Sequence, residues 1–224
     1  MIVGFSKLLQ FPRQAVLLVE LIGLFILLPL VLRFWAFPKM WFMVMFACTA
    51  GVGTWLILCK GSLRRFFWHG KGVRTEWYQL KKILSRFLLN AVLLVALVLI
   101  FFPNKLFNLP SQTPFVWASL LFFYPLLSVY PQEVLYRAFF FERYNKLFTR
   151  KRFLIAFNAL AFSFMHILYQ NPIAILLTLI GGWFFAETYA RTRSMRLVWL
   201  EHALYGCLVF TIGLGDYFYH GNVS

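Results

Sequence analysis

Acidic residues are scarce in this chain. Seven Asp and Glu stand against 22 Lys and Arg, for a formal net charge of +15, and Asp216 is the single aspartate. An aspartyl dyad therefore cannot form within the chain, although Gly213-Leu214-Gly215-Asp216 mimics a Gly-x-Gly-Asp motif. Cysteine is scarce as well. Cys48, Cys59 and Cys207 lie in or at the ends of apolar runs, odd in number and without metal-ligand spacing, so they imply no disulfide framework. No His-Glu-x-x-His occurs, which argues against a zinc peptidase built on that helix, and no serine sits in a Gly-x-Ser-x-Gly turn. Neither a repeat period nor a soluble domain is visible.

What is abundant is apolar surface. The 224 residues are 62% hydrophobic with a mean hydropathy of +0.75. A soluble domain of this length has too high a surface-to-volume ratio to hide so much. Runs of about 20 apolar residues recur, each enough to cross a hydrocarbon layer of ~30 Å as a helix. Seven spans are expected, at roughly 15–36, 40–59, 87–103, 114–140, 153–170, 172–190 and 197–215. The fold class is thus an all-α polytopic membrane protein. In the fourth span, Pro125 and Pro131 predict either a long kinked helix or a short span running into a second helix. The first apolar run is too long for a signal-peptide core and no small-residue cleavage site follows, so it reads as a retained span.

The positive charge is distributed as a membrane protein requires. With the N-terminus inside and seven crossings, 18 basic residues fall in inside segments, whereas only Arg33, Lys39 and Lys105 fall outside. That asymmetry predicts a cytoplasmic N-terminus and a C-terminus outside. The cations cluster between apolar runs, which disfavours a nucleic-acid partner, and the aromatic content of 21% suits membrane interfaces. The longest polar stretch, Lys60 to Arg86, reads as a cytoplasmic loop with interface aromatics or as an amphipathic surface helix. The composition points to a bacterial inner membrane.

Ionisable groups within spans are costly and usually face a cavity or a partner. Here they are Glu20, Glu133, Arg137, His166, Glu187, Glu201 and His202, all but the first in the last 92 residues. Glu133 and Arg137 are four apart, on one helix face, where the guanidinium would hold the carboxylate ionised. Alone, the pair could equally be a structural ion pair. His166 ends the fifth span, in Phe162-Ser163-Phe164-Met165-His166. His202 follows Glu201 in the last span, and adjacent helical residues diverge by about 100°, so the two should not share a pocket. Gly206 leaves a notch one turn beyond His202, for a substrate backbone or for helix packing. At ~1.5 Å per helical residue, Glu133 and His166 lie about 20 Å from the inside edge, and His202 only about 9 Å from it. A carboxylate and two imidazoles on three helices can supply a base, a proton donor and an oxyanion stabiliser.

These motifs resemble the CAAX-protease and bacteriocin-processing (CPBP) family of intramembrane peptidases. Its pattern is Glu-Glu-x-x-x-Arg, Phe-x-x-x-His and His-x-x-x-Asn or Asp on successive helices. Gln132-Glu133-x-x-x-Arg137, Phe162-x-x-x-His166 and His202 match it in order and spacing, within roughly 114–215. The resemblance implies a peptidase core at 114–224, preceded by N-terminal helices and a basic loop at 1–113. It implies hydrolysis of a peptide bond in a membrane-associated peptide or protein tail. Glu133 and His166 would activate water, Arg137 would hold the carboxylate, and His202 would serve the oxyanion. The chain departs from the pattern at Gln132, in place of the first glutamate, and at Gly206, in place of Asn or Asp. No cofactor is expected, although a carboxylate with two imidazoles could also bind zinc. An inactive relative that scaffolds membrane proteins is the first alternative, and a small proton-coupled transporter the second.

Overall fold

The computed structural model describes residues 13–35, 38–60 and 73–218, and among them there are helices and no strands. Seven long helices follow one another: α1 (Gln14–Trp35), α2 (Pro38–Lys60), α3 (Val73–Phe101), α4 (Pro114–Arg143), α5 (Lys151–Met165), α6 (Pro172–Thr192) and α7 (Met195–Thr211). Five described helices are long and apolar enough to cross a membrane: α1, α4, α6, the Glu76–Phe101 part of α3, and α5 with its extension to Tyr169. Met43–Trp55 within α2 is a shorter apolar helix, and α7 has 17 residues. All seven expected spans therefore fall on helices, and the chain is an all-α polytopic membrane protein.

Two expectations need adjustment. The third span, expected from residue 87, belongs to a helix that starts at Val73, so much of the polar stretch is its first turns. The remainder, 61–72, lies outside the described residues. The fourth span is one continuous helix and is not split. It runs through 114–143 with two wide π turns, Pro125–Val129 and Val134–Phe139, either side of Glu133. Proline has no N–H to give to the carbonyl four residues back, so the ladder loosens at Pro125 and Pro131. Two carbonyls of this helix also accept from side chains on other helices: Trp199 Nε1 bonds to the Pro125 carbonyl at 2.7 Å, and the buried Asn158 amide bonds to the Tyr136 carbonyl.

Lipid-facing and inward faces divide as the bilayer demands. Leu88, Leu89, Val92, Ile100 and Phe101 project from α3 with most of their side chains exposed, and Phe115 from α4 is 88% exposed. Such a surface is stable only against hydrocarbon. The C-terminal helices form the packed core, where Val134, Phe140, Phe141, Phe162, Ala186 and Val198 are sealed off. α5 and α6 make a tight hairpin: Gln170 takes a left-handed conformation, Asn171 Oδ1 caps Ile173 N at 2.8 Å, and Pro172 opens α6. Ser194 opens α7 in the same way, accepting from Leu197 N at 3.4 Å. These two turns set α5, α6 and α7 side by side behind α4.

Candidate active site

The site grows from α4. The π turn after Glu133 sets Tyr136, Arg137, Ala138 and Phe139 all inward, more than an ordinary amphipathic helix buries in a row. Glu133 and Arg137 are both fully buried, and Arg137 Nε lies 3.3 Å from Glu133 Oε2. The guanidinium is sandwiched by aromatic faces, 4.7 Å from the Phe162 centroid and 5.7 Å from that of Phe185. Cation–π attraction offsets part of its desolvation, and its Nη1 and Nη2 atoms have no hydrogen-bond partner among the described residues.

The other carboxylate oxygen reaches across to α7. Glu133 Oε1 is 2.7 Å from His202 Nδ1. The Phe185 ring stacks on the His202 imidazole at 4.5 Å and 18°, and Phe162 meets it edge-on at 5.4 Å. His202 is therefore gripped on its face and at its Nδ1 edge. Its other nitrogen, Nε2, makes a long contact of 3.4 Å to the Tyr124 hydroxyl of α4.

His166 stands apart from this pair. At the end of α5 the helix tightens into a 3₁₀ turn, and His166 Nδ1 bonds the Phe162 carbonyl at 2.8 Å. Its ring packs 4.8 Å from Phe162. It lines a largely apolar cavity of about 310 Å³ between α1, α2, α4 and α5, with Leu28, Met45, Leu135 and Met165 among the walls. Gln132 lines the same cavity and donates to Ser128 Oγ at 2.9 Å, whereas Glu133 is not in its wall.

The expected residues thus assemble, but with different partners from those expected. Glu133, Arg137, His202 and Phe162 converge, and Glu133 bonds to His202 rather than to His166. The depth count had set His202 well below Glu133, yet the two side chains meet. Glu201 and His202 diverge as their adjacency required. Glu201 is fully buried on the other side of α7, bonded to Thr188 Oγ1 at 2.6 Å and to Arg86 of α3. Arg86 also pairs with Glu187 at 3.1 Å and lies 4.4 Å over the Phe184 ring. Glu20 is tied to Arg143 and Tyr144 at 2.5–3.0 Å, which locks α1 onto the end of α4. Among the described residues, no three His, Cys, Asp or Glu side chains cluster as metal donors.

Tyr124, Phe185 and Arg86 also border these residues, and the sequence motifs do not mark them. Gly206 was the one available signal for Tyr124, because a side chain at 206 would run into the Tyr124 ring and hydroxyl. Nothing in the local pattern of Arg86 set it apart from other basic residues near a span.

No curated protein and no solved structure matches the chain. A family model described as "Type II CAAX prenyl endopeptidase Rce1-like" matches residues 111–208, which contain Gln132, Glu133, Arg137, Phe162, His166, His202 and Gly206. Over that segment the chain is similar to the Rce1-like CAAX endopeptidases, in agreement with the grouping of intramembrane peptidases that its three motifs resemble.

Proposed function

We propose that the protein is an intramembrane endopeptidase of the glutamic type, which hydrolyses a peptide bond in a membrane-associated peptide or protein tail. The observation that carries this reading is the buried chain of contacts Arg137–Glu133–His202. Arginine stays protonated in proteins, so it holds Glu133 as a carboxylate, and a carboxylate only accepts. The proton in the 2.7 Å contact therefore belongs to His202 Nδ1, which leaves Nε2 with a lone pair. Glu133 itself is fully enclosed, so water reaches the carboxylate's basicity through His202. That is the logic of an imidazole base oriented and stabilised by a buried carboxylate. His166, on the wall of the apolar cavity, is placed to hold the substrate's peptide group or to protonate the leaving nitrogen. An apolar cavity with few polar groups suits a substrate segment that arrives through the lipid. The proposed setting is a bacterial inner membrane with the N-terminus cytoplasmic, on the strength of the charge asymmetry.

A second reading has an observation of its own. Beside His166 the cavity presents the Gln132 amide, which takes up no proton, while the buried Glu133 carboxylate is not in its wall. An inactive relative that binds membrane segments in this cavity would look the same. Terminus-resolved membrane proteomics separates the two, comparing cells that carry wild type, Glu133→Gln and His166→Ala at matched expression. Under the peptidase reading, both variants accumulate the same uncleaved precursors. Profiles identical to wild type from both would leave only the binding role.

A further inference from the structure

We propose that Tyr124 is a catalytic residue, whose phenolic hydroxyl donates the hydrogen bond that stabilises the oxyanion formed when water attacks the scissile carbonyl. This rests on the peptidase reading above.

Two independent observations lead to it. The first is the state of His202. A neutral imidazole has one N–H, and here Nδ1–H is committed to Glu133. Nε2 can accept a proton but cannot donate to an oxyanion before it has done so. A donor is still needed at that edge of the ring, and the Tyr124 hydroxyl lies there, 3.4 Å from Nε2. At 3.4 Å this is a long and weak hydrogen bond to the Nε2 lone pair, so the O–H can leave it for a substrate oxygen beside it.

The second observation is Gly206, one turn beyond His202 on α7. A Cβ there would overlap Cε1, Cζ and the hydroxyl of Tyr124. The glycine thus gives up its own side-chain space to the phenol. The ring is held by an edge contact to Phe210 at 5.2 Å and another to His202 at 6.4 Å. Trp199, bonded to the Pro125 carbonyl, fixes the backbone just after it. A donor held rigidly where charge will develop costs no reorganisation in the transition state.

The step balances as follows. A lone pair of the water oxygen bonds to the carbonyl carbon while His202 Nε2 takes a water proton. The carbonyl π pair moves onto oxygen, and Tyr124 donates a hydrogen bond to that oxyanion without giving up its proton. When the tetrahedral intermediate collapses, the oxygen pair reforms C=O and the C–N bond breaks. The Nε2 proton passes to the leaving nitrogen, and one water has been added across the peptide bond.

The test uses the full chain in nanodiscs and a quenched-fluorescent peptide spanning a cleavage point that the Glu133→Gln comparison identifies. Tyr124→Phe keeps the ring and removes only the donor. It should lower kcat by about 100- to 1,000-fold while KM stays within about threefold. Its thermal midpoint should match wild type. Tyr124→Leu combined with Gly206→Asn puts an amide N–H into the vacated space, and it should recover at least about tenfold of the kcat that Tyr124→Leu alone loses. If wild type cleaves, Glu133→Gln does not, and Tyr124→Phe retains more than a third of wild-type kcat, the Tyr124 assignment is overturned and the peptidase reading stands. If wild type produces no Glu133-dependent termini at all, both fall together.

Discussion

Glu133 and His202 lie 69 positions apart in the chain, yet their side chains share a 2.7 Å hydrogen bond inside a closed aromatic cage. The same carboxylate holds Arg137 with its other oxygen. One buried glutamate therefore satisfies a fixed positive charge within its own helix and orients an imidazole on another. On the peptidase reading, stability and chemistry are joined at this residue, which sets the first expectation.

Replacing Glu133 with Ala strands a fully buried guanidinium. Breaking a buried pair by removing one partner costs about 3–5 kcal/mol, because the other charge stays desolvated. Removing both, as in Glu133→Leu with Arg137→Met, should recover most of that loss while leaving the site inactive. Unfolding in mixed micelles checks this, and a double variant no more stable than Glu133→Ala would disprove it.

A second expectation concerns Arg86, which lies outside the matched segment 111–208. It neutralises the buried Glu201, whose neighbour on α7 is His202. Arg86→Met should let α7 rotate away from α3 and lower turnover by about tenfold or more, since small misplacements of a catalytic group are costly. Arg191→Ala removes the half-exposed partner of Glu187 and should change stability by less than about 0.5 kcal/mol. Equal effects from the two variants on turnover would show that the Arg86 tie does not position His202.

These residues mark what the sequence could and could not reveal. The helices were legible because a bilayer imposes length and apolarity on every span. Glu133, Arg137, His166 and His202 stood out because ionisable groups are rare there. Pairing was not legible, because depth counted along straight helices ignores tilt and the extra residue per wide turn that two prolines introduce into α4. That is why His202 counted as too shallow for Glu133. Arg86 was hidden for another reason. Near the polar end of a span, a cation that snorkels and a cation that neutralises a buried carboxylate have the same sequence signature.

Gly213 has φ +89°, and a Cβ there would overlap the Lys105 carbonyl. Gly213→Ala should therefore destabilise the α3–α7 contact by on the order of 1–3 kcal/mol, through backbone strain and the clash together. The site lies elsewhere, so the loss should appear in the unfolding midpoint and not in KM. An unchanged midpoint would mean the connection yields freely.

Lys105 offers a pH dependence. Its ammonium donates to Asp216 at 2.8 Å, and that bond raises the lysine pKa above its ordinary value. A raised folded pKa stabilises the charged form, so the contribution is complete below the ordinary lysine pKa of about 10.4 and is lost as pH rises through the folded value. Both side chains are substantially exposed, which limits the effect to below about 1 kcal/mol. Lys105→Met should flatten the stability–pH curve at that alkaline end. A difference confined to acid or neutral pH would contradict the assignment.

Gln132→Glu puts the two functional readings in direct competition. Gln132 shares the cavity wall with His166, and its amide is bonded to Ser128. If Glu133 and His202 already form a working base, a new carboxylate at 132 adds a charge beside His166 but no missing part. Turnover should then change by less than about tenfold, within the usual range for a modest change in acid–base surroundings, and the pH profile should shift at its acid limb. If the chain is an inactive binder for want of a base in the cavity, wild type should be silent and Gln132→Glu should begin to cleave. Wild-type cleavage that depends on Glu133 and survives at 132 with either side chain would place the base at His202. Cleavage seen only with glutamate at 132 would place it at the cavity wall.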